Sequence, residues 1–446
     1  MTIRAEGKRD NSKAPRIYRA LMAGVCLLAA AWKAPALAQV DAPLRVVNYN
    51  IAELIGSSID LRKVFQSLAE DPTPETGVIR APDVYVFQEV EPGTTGTIKS
   101  WLDAFAPIGV QYRLATFTAN GGGGGENALF YRDDSLVEET AAHRDITNHN
   151  GPRATDRWKF HCIEDASVSF YIYGSHFKAD TGPSNESQRS SEADAVRRDA
   201  DTLPAGAHII YTGDWNVYSP SEYAFRRFFD SGNGRAVDPR FLGSFAALAQ
   251  TQSPHDGSNP DLTAGGMDDR FDFQLCSEEL DDGVGFDVIV QSYRSFGNDG
   301  QHYNRAINFG NNAYFAPDEQ WKAEALALAS DHLPVVADYT APVARFTLDV
   351  PPLVAGLVAT LRVTHALPGE NVYFIYSRRG LGLTPVPQLG VTLGLQAPTL
   401  IGATRANQQG DASIRGRVPV DLLGRNLWIQ AARQGSVTDV VWRFVE

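Results

Sequence analysis

Five short apolar runs of this chain each carry, at or near one end, a side chain able to hold a metal ion or move a proton. In order they are RVVNYNI, which ends at Asn50; DVYVFQEVE, with Glu89; FYIYGSHF, with His176; HIIYTGDWN, with Asp214 and Asn216; and ALASDHLPVV, with Asp331 and His332. Runs of about 4–8 residues rich in Val, Ile, Tyr and Phe predict β-strands. Polar residues at the rims of such strands are held by a rigid scaffold and still reach solvent. The chemistry this set could do is phosphodiester hydrolysis, which needs an activated water, neutralised phosphoryl oxygens and a stabilised leaving alkoxide.

Glu89 closes an otherwise apolar strand. A hard cation such as Mg²⁺ takes carboxylate oxygens and keeps several waters, which makes Glu89 the natural primary ligand. Asp214 and Asn216 lie two apart, so in an extended segment both side chains point the same way. One would then hold the water and the other the phosphoryl oxygen, with Gly213 allowing close backbone approach. The plainer reading of this stretch is an Asx turn closing the strand. His332 suits proton transfer near neutral pH, but it needs a carboxylate to fix its tautomer. Adjacent strand residues point in opposite directions, so Asp331 cannot be that partner in a strand. Asp272, which interrupts the apolar run in DDRFDFQLCS, is the better placed acid.

His176 offers a donor to the phosphate or a proton to the leaving group, although alone it reads as a satisfied core histidine. Arg153, Arg157 and Arg189 could give forked donors to a phosphate, with surface salt bridging as the alternative for each. His143, His149, His161, His208, His255 and His302 have no comparable context. The chain has no P-loop, HExxH or Gly-x-Ser-x-Gly elbow, which argues against NTPases, zincins and serine hydrolases. On this reading His332→Ala should abolish turnover while barely changing thermal stability.

Helices must hold these strand ends in place. IDLRKVFQSLAE sets Leu61, Val64, Phe65 and Leu68 on one helical face, and NESQRSSEADAVRRDADTLP does the same with Ala193, Val196, Ala200 and Leu203. SPSEYAFRRFF predicts a helix start capped by Ser219 or Ser221. ENALFYRDD predicts a further strand. Before it, the glycines at 121–125 read as a surface loop, with a lid over the site as the alternative. From Arg345 onward, runs such as LVATLRVTHA, NVYFIYS and NLWIQAAR recur between turn residues. They predict an antiparallel β-sandwich of roughly 100 residues without titratable clusters, an appendage suited to adhesion, packing, or binding a surface or glycan.

The first 38 residues read as a cleaved export signal: six basic residues, the apolar stretch LMAGVCLLAAAW, then Ala36-Leu37-Ala38. The apolar stretch falls short of the roughly 20 residues that span a bilayer, and no stable membrane insertion is expected. The expected location is secreted or periplasmic. Removing the segment's seven basic and two acidic residues from 40 and 53 leaves 33 against 51, a net charge of −18. Such a chain has no broad basic patch for a polyanion, so contact with nucleic acid or another phosphodiester would be transient and assisted by cations. Cys26 lies in the signal. Cys162 and Cys276 read equally well as a disulfide or as two buried small side chains.

Taken together, NYNI, FQEVE, GSHF, GDWN, RFDFQLCS and SDHLPVV resemble, in that order and over about residues 44 to 340, the endonuclease/exonuclease/phosphatase (DNase I-like) superfamily. The LFYRDD run is similar to a strand of its secreted members. The resemblance implies an α/β fold: a four-layer α/β sandwich of two packed mixed β-sheets flanked by helices. It implies Mg²⁺ (with Mn²⁺ or Ca²⁺ as alternatives) held by Asn50 and Glu89, with Asp331 near the metal. Asp214 would position or deprotonate the water, Asn216 orient the phosphate and Asp272 align His332. His176 would stabilise the pentacovalent state or assist departure of the alkoxide. The abasic-site members carry an Asp two residues beyond the first-strand Asn, where this chain has Ala52 followed by Glu53. The membrane-directed hairpin of the sphingomyelinases has no clear counterpart.

The expected domains are a signal at 1–38, a catalytic domain at 39–342 and an accessory sandwich at 343–446. The leading functional reading is a secreted Mg²⁺-dependent phosphodiesterase, a nuclease first. A sphingomyelinase- or phospholipase C-like enzyme is second, and a non-catalytic surface binding protein with a vestigial enzyme domain is third.

Overall fold

The computed structural model describes residues 43–73, 77–107, 109–119, 123–163, 165–340 and 346–446. The export signal, Cys26, the glycines at 121 and 122 and the boundary residues 341 and 342 lie outside them. Strand β1 (Pro43–Asn50) alternates strictly. Leu44 and Val46 face the other sheet, while Val47 and Tyr49 face outward against helices, and all four are fully buried. Burial on both faces is why these strands read as continuous apolar runs rather than as polar–apolar alternation.

The first sheet contains β1, β2 (Val84–Val90), β3 (Glu126–Arg132) and β8 (Val335–Thr340), in the order β8-β1-β2-β3, with short edge strands beyond. β1 and β2 run parallel, while β1–β8 and β2–β3 are antiparallel. The second contains β4 (Thr155–Cys162), β5 (Ser169–His176), β6 (Ile209–Asp214) and β7 (Asp272–Ser277), in the order β7-β6-β5-β4. Here β5 and β6 are parallel and their neighbours antiparallel. Val46, Val86, Trp158, Phe160, Ile172 and Ile210 fill the space between the sheets. Helices α1 (Ser58–Ala69) and α4 (Trp321–Ala329) cover the outer face of the first sheet through Leu61, Val64, Phe65, Leu68 and Leu326. Helix α3 (Pro183–Ala200) covers the second through Ala193, Val196 and Ala200, and α2 (Thr95–Asp103) adds Ile98 and Leu102 to the first outer layer. This is the expected four-layer α/β sandwich, and both helical faces are the ones the residue spacing predicts.

Cys162 and Cys276 are thiols, fully buried in the core between the sheets. Of the two readings, small buried side chains is the one found. No described helix is long and apolar enough to cross a membrane.

Two local expectations fail. The run ALASDHLPVV is not one strand: its first three residues end α4, and β8 begins only at Val335. The segment at 219–229 forms one helical turn (Tyr223–Arg226) whose N-cap is Glu222. Ser219 and Ser221 do not cap it; their hydroxyls bond each other at 2.8 Å.

The C-terminal region is a β-sandwich, as expected. Thr347–Asp349, Val358–Thr364 and Ala412–Arg417 form one sheet. Asn371–Ser377, Thr399–Arg405, Asn426–Arg433 and Val440–Phe444 lie in the other. That second sheet also takes in Val78–Ile79 from the first region, paired with Val440 and Val441, and Arg80 bonds Asp439 at 3.0 Å. The two regions are therefore tied by main-chain hydrogen bonds and a part-buried ion pair.

Candidate active site

The ends of the two parallel strand pairs meet at one seam. Asn50 ends β1 and Glu89 lies near the end of β2, both on the first sheet. On the second, Asp214 is the direct cross-strand partner of both His176 and Asp272. His332 arrives from the turn after α4, held by Ser330, whose hydroxyl accepts from the His332 N–H at 3.1 Å and donates to Asn50 O at 2.8 Å. The ends of parallel strands are where open α/β sheets build sites.

Asp214 is the hub. Its Oδ2 accepts from Asn50 Nδ2 at 3.0 Å and lies 3.5 Å from His176 Nε2 and 3.7 Å from His332 Nε2. Asn50 Nδ2 also donates to Glu89 Oε1 at 2.9 Å, and His176 Nε2 is 3.8 Å from that same oxygen. The second face of His332 is fixed by Asp272, Nδ1 to Oδ2 at 2.8 Å. The expected separate acid is found, although the reason differs: Asp331 and His332 lie outside a strand, and Asp331 Oδ2 instead accepts the Thr263 N–H at 2.9 Å.

The backbone is shaped to allow this. Glu89 has φ +57, where the pairing of β2 with β3 shifts register between Phe87 and Val90. A non-glycine residue there stores strain of roughly 1–3 kcal/mol. Gly125 (φ +67) passes so close that a Cβ would stand 2.5 Å from the Glu89 carbonyl carbon. Gly213 (φ +144) likewise clears Ser175 O, which a Cβ would approach to 1.9 Å, so the close approach expected at Gly213 is between β6 and β5.

Asn216 is not in an extended segment. Its φ is +50, its N–H donates to Asp214 Oδ1 at 3.0 Å, and its Nδ2 donates to Phe177 O at 3.3 Å. The Asx turn and the site are thus one feature, since the turn fixes the Asp214 carboxylate.

The electrostatics follow from burial. Burial, with Asp272 and Glu89 beside it, pushes the Asp214 carboxyl well up. Burial also raises Glu89, with Asp331 adding to it. Burial pulls His332 down, but Asp272, Asp214 and Asp331 together hold it well above the ordinary histidine range. Burial and the nearby charges of Arg153 and His332 push His176 well below it, so its ring is neutral. Its Nδ1 is buried with no hydrogen-bond partner among the described residues.

Glu89, His176 and Asp214 each present a ligand atom within 4.8 Å of the others, so this cluster could hold a divalent cation. Burial disfavours the charged forms of Glu89 and Asp214, and a divalent ion bound between them would offset that cost. Asn50 fits the ligand role less directly: its NH2 faces the acids, while Oδ1 accepts the Ala52 N–H at 2.9 Å. Asp331 is near enough to act on Glu89 electrostatically but is outside the cluster.

Of the three arginines, the structure brings Arg153 to the site, packed through Nε on His176 O (3.1 Å) and through its terminal nitrogens on Phe177 O and Gly123 O. The described end of the glycine run, Gly123 to Gly125, therefore lies against the site. Arg157 is turned away to Asp199 (2.7 Å), and Arg189 is fully buried on Glu222 (2.9 Å) and the carbonyls of Lys178 and Asp180. Both form salt bridges, but buried ones rather than the surface pairs expected. Sequence reasoning missed Gln252, whose Nε2 lies 3.2 Å from His332 Nε2. It comes from irregular backbone joined to His332 by an isolated bridge, so no periodic signal marks it.

No protein-family model matches the sequence, and no curated protein does. Among solved structures the chain is similar to the catalytic domain of human Nocturnin with bound sulfate, at 18% identity over 67% of this chain and 96% of that one, TM-score 0.43. It is similar to D. rerio TDP2 complexed with a single-strand DNA product, at 14% identity over 67% and 99%, TM-score 0.42. An endonuclease/exonuclease/phosphatase from Beutenbergia cavernae is similar at 14% identity over 90% and 99%, TM-score 0.39.

Proposed function

We propose that this protein is a secreted, Mg²⁺-dependent phosphodiesterase whose substrate is nucleic acid, with residues 39–342 as the catalytic part and 343–446 as an accessory sandwich. The observation that carries the reading is the convergence of Asn50, Glu89, His176, Asp214 and the Asp272–His332 pair on one seam. Glu89 and Asp214, with His176 beside them, would hold a divalent cation, which when bound would supply charge neutralisation for the phosphoryl oxygens.

The chain's own residues do the rest. Asp272 locks His332 so that Nε2 faces Asp214, and together Asp214 and His332 orient the attacking water; the form of His332 that has released its own proton takes one from that water. Asn216 and Arg153 bind non-bridging oxygens. His176, held neutral by its surroundings, donates a hydrogen bond to the pentacovalent state rather than a proton to the alkoxide. Contact with the polyanion is transient, because the chain's net charge is negative.

The test gives the purified protein plasmid DNA, RNA and sphingomyelin vesicles, each with Mg²⁺ or EDTA. Mg²⁺-dependent nicking supports the nuclease. Phosphocholine release with intact plasmid would transfer the same machinery to a lipid substrate. Inertness toward all three, in folded protein, overturns the proposal.

A further inference from the structure

A second group of ligating side chains lies away from the strand-end seam, where the short strand Arg144–Ile146 pairs with β4. His143, Asp145 and Asp156 each present one ligand atom there, all within 4.8 Å of one another. His143 Nε2 is 2.8 Å from Asp145 Oδ1 and 3.9 Å from Asp156 Oδ1. Asp145 and Asp156 are direct cross-strand partners, a placement in which like charges destabilise a sheet. Asn127 Nδ2 fixes the Asp156 carboxylate by donating to Oδ2 at 3.1 Å. The other oxygen, Oδ1, points at His143 and has no hydrogen-bond partner among the described residues, on a side chain only 3% exposed. An acid buried this way is costly unless something compensates it.

We propose that His143, Asp145 and Asp156 form a second divalent-cation site, one that takes a first-row transition ion such as Zn²⁺ and ties the segment at 139–147 to β4. One imidazole and two carboxylates suit such an ion better than Mg²⁺ or Ca²⁺, which take oxygen ligands. Asp145, with a side chain 24% exposed, leaves the site open toward solvent for entry and for water to complete the coordination. Asp156 supplies the buried anchor and Asn127 orients it. The competing occupant is a proton: one shared among these three side chains would leave no place for a metal.

Visible absorption of Co²⁺, a spectroscopic stand-in for Zn²⁺, separates the two. It is measured in wild-type protein kept in excess Mg²⁺ and in Glu89→Gln, which weakens the strand-end cluster. The expected result is one equivalent of Co²⁺ with d–d bands in both, displaced by Zn²⁺, and lost in His143→Ala. Asp145→Asn, on the more exposed residue, gives the same loss and serves should His143→Ala fail to fold. Folded protein that takes up no Co²⁺, or bands that persist through the ligand substitutions, overturns the proposal. Neither result depends on turnover, so it stands or falls separately from the phosphodiesterase reading.

Discussion

Asp272→Asn is the sharpest probe of the seam. In the native protein Asp272 and His332 are 1% and 4% exposed and meet at 2.8 Å. A hydrogen bond to a charged group is worth about 1.5–3 kcal/mol. The amide keeps the shape of the carboxylate but has only two ways to sit. With its NH2 toward Nδ1 it reverses the His332 tautomer. With its carbonyl there, the NH2 takes the position of Asp272 Oδ1, which has no partner among the described residues, at a cost of about 1–3 kcal/mol. Either way one of the three charges that hold His332 high is gone.

Turnover of a chromogenic aryl phosphodiester, whose leaving group needs no proton, isolates water activation. Its kcat should fall at least ~100-fold with KM little changed. The pH limb belonging to His332 should move to lower pH, because the acids that raise its pKa now number one fewer. Activity within a few-fold of wild type in folded protein would refute the reasoning. The same geometry corrects the expectation for His332→Ala. That change strands the buried Asp272 carboxylate, and breaking a buried pair costs about 3–5 kcal/mol, so thermal stability should fall along with turnover.

Glu89→Gln should abolish Mg²⁺-dependent turnover without lowering the melting temperature, since it removes a carboxylate that burial already disfavours; activity retained at ordinary Mg²⁺ would place the ion elsewhere. Gly213→Ala should cost at least about 2 kcal/mol in a urea titration, because its Cβ would stand 1.9 Å from Ser175 O. Glu192 is pushed up to about 7 by burial. A carboxyl raised on folding stabilises the fold below its unfolded pKa, and that contribution is lost as pH rises through about 7. Glu192→Gln should therefore gain on the order of 2–3 kcal/mol over wild type by pH 8 relative to pH 4; a difference that stays flat across that range would sink the assignment.

The strands and the main helices were legible because each buries a full face. Val46 and Val47 fill opposite layers, and Leu61 to Leu68 repeat at helical spacing. The candidate site was legible because five apolar runs each carry a metal- or proton-handling side chain near one end, whereas any one of them alone has an ordinary structural reading. What could not be read depends on local backbone. Asn216 leaves the extended region at φ +50, which periodicity cannot report. The alanines before Asp331 suit a strand or a helix equally in a short apolar run, and packing of α4 on α1 decides it. The hairpin Leu381–Val386 with Val391–Leu395 was missed because its first strand is only partly buried and rich in Gly, Thr and Pro. His143 had no comparable context in the sequence because Asp156 is its neighbour only across the strand pair.

The charge balance at the seam explains why so acidic a chain would act on an anion at all. Asn50 and Asn216 add no charge, and the cations that act most on Glu89, Asp214 and their neighbouring acids among the described residues are His332 and Arg153. Arg153 itself is engaged on three carbonyls and pulled below its ordinary range by burial, so its charge is partly committed. A phosphodiester approaching this pocket meets four carboxyl groups against His332 and a partly committed Arg153, and a low-dielectric seam strengthens that repulsion. The acids are therefore an obstacle to the substrate unless a divalent ion turns them into its ligands. On the proposed phosphodiesterase reading, the same carboxylates that repel the phosphate in the absence of that ion are the reason it would be held there, which would make cation binding and substrate binding one coupled event.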